Sequence, residues 1–194
     1  YVIAGAVCLV LIALASMVRY PTPALTSSGS GFSGTGRAVS NPFVLAFSAG
    51  AFLYVGVEAA VYVWMPTLLA NYTGSAALVA TYSISIFFLL RAAGRFLGAW
   101  MLTRVPWQAA LAVFSGCILL CFLFSIVGGV QWAVYLLPLS GLFMSVIYPT
   151  INSKGISCVP RAAHGSAAGV ILFFTCVSAV VAPIYDRFRG NLAV

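Results

Sequence analysis

Glu58 is the residue of this chain whose type and placement most plainly demand a chemical reason. It sits near the middle of an apolar stretch, with Tyr54 four residues before it and Tyr62 four residues after it. At helical spacing the three share one face, and a charged side chain at the centre of a bilayer costs at least ~2.5 kcal/mol. Such a face either lines a water-filled cavity, where the carboxylate accepts hydrogen bonds from a polar solute or takes up a proton, or is satisfied by a neighbouring helix. A second polar stripe, Ser145, Tyr148 and Asn152, is interrupted by Pro149. Proline breaks the backbone ladder and frees a carbonyl, which is tolerated where helices bend around a site. The Asn152 amide and the Tyr148 ring suit a hydroxylated ligand, through directional hydrogen bonds and ring contact. A place at the helix end near the interface accounts for the same pair without any ligand. Tyr54, Glu58, Tyr62, Tyr148 and Asn152 are therefore the candidate substrate-binding residues.

Arg91 and Arg95 also stand four residues apart, on a shared face at the basic end of their stretch, where they serve as gating residues or as anchors that snorkel to the interface. Between and beyond them lies Gly94-x-x-x-Gly98, a small-xxx-small pattern that lets two helices approach closely, and Gly165-x-x-x-Gly169 repeats it. With Arg104 these residues form the gating and packing set. Enzymatic chemistry finds no constellation. Glu58 and Asp186 are the only acids and fall on different spans, while the sole histidine, His164, has no acidic or Cys neighbour and reads as a loop residue. The cysteines at 8, 117, 121, 158 and 176 show no metal spacing and read as small hydrophobes. No catalytic residue, metal or cofactor is expected.

The elements that must position these side chains are membrane helices. Of 194 residues, 63% are hydrophobic and 6% charged, against roughly a quarter charged in a soluble domain; the mean hydropathy is +1.11. Apolar runs near 1–18, 43–70, 76–101, 107–127, 131–153 and 162–185 have the length needed to cross a hydrocarbon core about 30 Å thick. The expected fold is all-α, a polytopic bundle of about six spans. Pro66 and Pro183 bend two of them, and Trp64 beside Pro66 is a belt residue or a substrate platform. The first run lacks a charged leader region and begins without Met, so it reads as a span of a longer protein rather than a signal peptide. Residues 19–42, rich in Pro, Gly and Ser, read as a flexible connector.

A net charge of +7 does not point to nucleic acid here, because the basic residues are scattered between apolar runs. If residues 19–42 are cytoplasmic, that side collects Arg19, Arg37, Arg91, Arg95, Arg104, Lys154 and Arg161, whereas the other side has only Arg187 and Arg189. This asymmetry sets the orientation by the positive-inside rule. Localisation in the cell membrane, inner or plasma, follows.

The stretch from Gly141 through Phe143-Met144-Ser145, Tyr148-Pro149-Thr150-Ile151 and Gly155-Ile156 resembles the tenth helix of fucose-permease-like sugar symporters of the major facilitator superfamily. Tyr54-Val-Gly-Val-Glu58 with Trp64-x-Pro66 is similar to the seventh helix of that family, and Gly94-Arg95-x-x-Gly98 leading to Arg104 to the loop joining helices eight and nine. Gly165-Ser-Ala-Ala-Gly169 through Pro183 and Asp186 is similar to helix eleven. The resemblance implies helices six to eleven of a twelve-helix transporter. Residues 1–18 would end the N-terminal half, 19–42 would be the central cytoplasmic loop, 43–186 five helices of the C-terminal domain, and 187–194 an outside tail before a last helix. It also implies cation-coupled, usually proton-coupled, uptake of a small sugar by alternating access, with the absent N-terminal half as partner and carrier of the main proton-carrying acids. Thr103 stands where an acid often precedes the loop arginine, and Lys154 where the family is commonly apolar. An exporter of amphipathic compounds within the same superfamily, and a truncated remnant that does not transport, are the alternative readings.

Overall fold

The computed structural model describes residues 2–18 and 32–192. The residues described are helical apart from short turns, in the order α1 (Val2–Met17), α2 (Phe32–Val39), α3 (Pro42–Leu69), α4 (Ala77–Thr81), α5 (Ser83–Leu102), α6 (Trp107–Val127), α7 (Gly129–Met144), α8 (Ile147–Ser157), a 3-10 turn (Arg161–Ala163) and α9 (His164–Leu192). Five helical segments are long and apolar enough to cross a membrane: α3, α5, α6, α7 with α8, and Arg161–Val181. With the shorter apolar α1 they give the six expected spans, and the fold is an all-α membrane bundle.

Local chemistry sets the boundaries. The Asn41 side chain accepts from the Phe43 and Val44 amides, at 2.9 and 3.4 Å, with Pro42 at the first helical position. That cap satisfies donors that a helix start leaves orphaned. Between α6 and α7 the chain reverses at Gly128 and Gly129, and Gly129, the first residue of α7, has a φ of +62°, which a side chain would disfavour. Residues 32–39, expected as part of a flexible connector, form a helix, and Ala38 is buried in a small core with Val44, Val159, Ala167 and Val170. The remainder of that connector, 19–31, lies outside the described residues.

The fifth span is two helices. Pro149 has no N–H to donate to the Ser145 carbonyl and its ring presses on that turn; the helix accordingly stops at Met144 and restarts at Ile147, with Pro149 in the first turn of α8. The bend sits one turn earlier than the proline itself. α9 runs on to Leu192, so its helix extends beyond residue 185; the side chains of Asp186, Arg187 and Arg189 are outside the described set.

The main core joins α3, α5, α6 and α7 through Tyr54, Met65, Phe87, Phe114, Val134 and Met144. Glycines let α5 and α7 meet. A Cβ added at Gly94 would collide with the Leu142 carbonyl, one at Gly98 with the Val146 side chain, and one at Gly141 would lie 2.5 Å from the Phe87 carbonyl oxygen. Gly165 and Gly169 differ: a Cβ at either meets nothing within 4 Å. The same pattern therefore packs in one helix and leaves an open face in the other. All described side chains of α1 are exposed, so this span finds no packing partner in the rest of the described chain.

Candidate functional site

Helix α3 carries the site's first wall. Glu58 forms an ion pair with Arg91 of α5. The Arg91 and Glu58 side chains are 17% and 13% exposed, so each ion has lost most of its water and depends on the other for compensation. The pairing is built by the antiparallel arrangement: Glu58 lies 13 residues before Asn71 and Arg91 16 residues after Ser75, which at 1.5 Å per residue sets them at about the same depth. Arg91, expected as a gating residue or interfacial anchor, is thus held within the span, leaving Arg95 as the solvent-accessible member of that pair of arginines. Glu58 is thus paired by a neighbouring helix, an arrangement open to a packed face and to a cavity wall alike.

One turn before Glu58, Tyr54 is 8% exposed. Its hydroxyl donates to the Met144 carbonyl at 2.5 Å, filling a backbone acceptor that the end of α7 leaves without an intrahelical donor. Its ring stacks on Tyr148 of α8, with centroids 6.5 Å apart and an interplanar angle of 21°. A single tyrosine therefore touches both sides of the bend. Asn152, half-buried one turn after Tyr148, leaves its amide without a hydrogen-bond partner among the described residues. Tyr62 packs against Phe88 of α5, centroids 6.5 Å apart, and continues the α3 face toward the other membrane surface. Ser145 departs from the expected polar stripe: it is 1% exposed and its hydroxyl donates to the Leu142 carbonyl at 2.8 Å. It belongs to the α5–α7 seam.

The structure thus brings Tyr54, Glu58 and Tyr148 together and adds Arg91. The signal for Arg91 lies in the similar distances of the two charges from the turn at 71–75. Removing the Tyr54 hydroxyl with Tyr54→Phe keeps the ring stack but leaves a buried carbonyl unpaired, and a loss of about 1 kcal/mol in the unfolding free energy is expected. An unchanged unfolding midpoint would show that water replaces the bond.

Elsewhere, His164, expected in the loop before the last span, instead opens α9, and its ring nitrogen Nε2 lies 3.1 Å from the Val159 carbonyl of the preceding connector. Among the described residues no group of His, Cys, Asp and Glu is placed to hold a metal.

The family model for the Major Facilitator Superfamily matches residues 1–183. No curated protein sequence matches the chain. Among solved structures it is similar to an E. coli fucose:proton symporter, FucP, in a variant form, with a TM-score of 0.77 and 22% identity. It is similar also to the transporter FucP in its outward conformation, with a TM-score of 0.79 and 22% identity. Each comparison covers 100% of this chain and 48% of the other, so the chain spans about half the length of these structures. With the family model matched along nearly all of its length and the same fold in both neighbours, the chain belongs to the Major Facilitator Superfamily.

Proposed function

We propose that this chain is the C-terminal part of a secondary active transporter that takes up a small sugar or a similar polar solute by alternating access, coupled to a cation, with the proton as coupling ion. The observation that carries the reading is the Glu58–Arg91 pair, set within the membrane beside two stacked tyrosines and a free amide. A lone structural ion pair needs no such neighbours. Tyr148, braced from behind by the buried Tyr54, offers a ring face to the apolar side of a sugar, Asn152 offers a donor and an acceptor to its hydroxyls, and the paired charges keep that wall close to neutral. The neighbours support the direction of the proposal, since the first is described as a fucose:proton symporter. Residues 1–18 then end the N-terminal half, residues 19–42 connect the halves on the cytoplasmic side, and the second wall of the pathway comes from the N-terminal half.

Glu58 is the one carboxylate among the described side chains, and its charge is what holds Arg91 in the pair. Glu58→Gln in the complete protein retains an acceptor for Arg91 and relieves a buried charge, so membrane insertion should persist. Proton-driven uptake is expected to fall about tenfold or more, the scale of a change of about 1.4 kcal/mol, and its profile against pH to differ from that of the parent protein. Uptake in that variant that still follows pH as before would remove Glu58 from coupling. Counterflow with a panel of monosaccharides tests the substrate class: exchange of an amphipathic dye with no sugar exchanged would favour export over sugar uptake.

A further inference from the structure

Below the bend, α8 parts from α5, and a cavity of about 570 Å³ opens between these helices and the start of α6. Arg95 and Lys154 both line it, together with Leu102, Trp107, Pro149 and Ser153. The Lys154 ammonium lies 5.8 Å from the centre of the Trp107 ring. Neither cation has a carboxylate among the described residues, because Glu58 is committed to Arg91. Lys154 falls in the last turn of α8 and Trp107 opens α6, so this end of the cavity stands at headgroup depth on the side that carries the basic connectors. Arg95 lies seven residues inside the end of α5, or about 10 Å deeper.

We infer that this cavity binds the phosphate of an anionic phospholipid from the cytoplasmic leaflet, with Lys154 and Arg95 as its cationic contacts and the apolar walls receiving the start of an acyl chain. Three features select a lipid over a small ion. The walls are mainly apolar, which would repel a hydrated anion but suits a glycerol ester. Lys154 sits where a leaflet's phosphates lie, Arg95 lines the same cavity from a deeper position and its long side chain extends toward that level, and basic pockets between helices on this side suit lipid head groups. Trp107, which lines the cavity from the first position of α6, is the residue type that settles at that depth. The inference is independent of which solute is transported, and its readout is not transport.

The test is photo-crosslinking of the complete protein in nanodiscs of phosphatidylcholine containing a minor fraction of photoactivatable phosphatidylglycerol, followed by peptide mapping. Label is expected in the peptides that carry residues 99–107 and 146–154, and to fall at least about fivefold in Arg95→Gln/Lys154→Gln. It should persist in Arg104→Gln/Arg161→Gln, which removes the same charge from exposed positions at the same end. Label that survives the first pair, or that falls equally in the second, would overturn the site. Competition by millimolar inorganic phosphate would overturn the lipid as its occupant, as would a carbodiimide cross-link joining Lys154 to an acid of the N-terminal half.

Discussion

Arg91→Leu in the complete protein is expected to lower its stability by about 3 kcal/mol, and Glu58→Gln added to it to recover most of that loss. The asymmetry follows from desolvation. A leucine in place of Arg91 would leave the Glu58 carboxylate within the membrane with no cation, so it must take up a proton or draw in water, either of which costs energy. A glutamine in place of Glu58, opposite that leucine, carries no charge, and its amide meets the smaller cost of a neutral polar group. Arg91→Lys should fall between the two, because an ammonium keeps the charge but loses the guanidinium's planar fork. Equilibrium unfolding in lipid–detergent micelles gives the double-mutant cycle, with a coupling of about 2 kcal/mol expected between positions 58 and 91. A coupling near zero would mean that the two side chains face separate water-filled spaces.

The second large effect lies in the α5–α7 seam. Gly94→Ala places a methyl group against the Leu142 carbonyl, a backbone atom that cannot rotate away, and Ser145 closes the other side. The helices must separate, at an expected cost of about 3 kcal/mol, and because Ser145 and Val146 form the bend, the separation would displace Tyr148 from Tyr54. Gly169→Ala carries the same change into open space and should alter stability by less than about 0.5 kcal/mol. Comparing the fraction of folded protein that survives heating separates the two cleanly. Equal losses would mean that the open face of α9 is packed in the complete protein as tightly as the seam.

That contrast shows where reading residues in order succeeds and where it stops. Spans are legible because the bilayer demands long apolar runs whatever surrounds them, and Glu58 with its flanking tyrosines is legible because a charge in such a run is costly. A Gly-x-x-x-Gly pattern states that two helices are able to approach, not which helix is opposite; Gly94 and Gly98 have α7, whereas Gly165 and Gly169 face away from the described chain. A spacing of four residues groups Arg91 with Arg95, but the depth of Arg91 relative to the turn at 71–75 decides its partner. Reading along one helix misses a relation between two. The helix at 32–39 is hidden for another reason: glycine and serine lower its intrinsic propensity, and its stability comes from burying Ala38 beside α9, a contact made only after the bundle forms. Position 149 announces a bend, yet the break falls at Ser145–Val146, because proline disturbs the carbonyl four residues earlier.

On the proposed function, the wall formed by Tyr54, Glu58, Arg91, Tyr148 and Asn152 faces an aqueous pathway that a sugar occupies. Asn152→Cys in an otherwise cysteine-free complete protein tests this most directly, with a membrane-impermeant thiol reagent and Leu172→Cys on the exposed apolar face of α9 as a control. The thiol introduced at position 152 is expected to react, a transported monosaccharide to slow that reaction by about tenfold or more, and the thiol at position 172 to stay unreactive. A thiol at 152 as inert as the one at 172, from both sides of the membrane, would contradict the pathway.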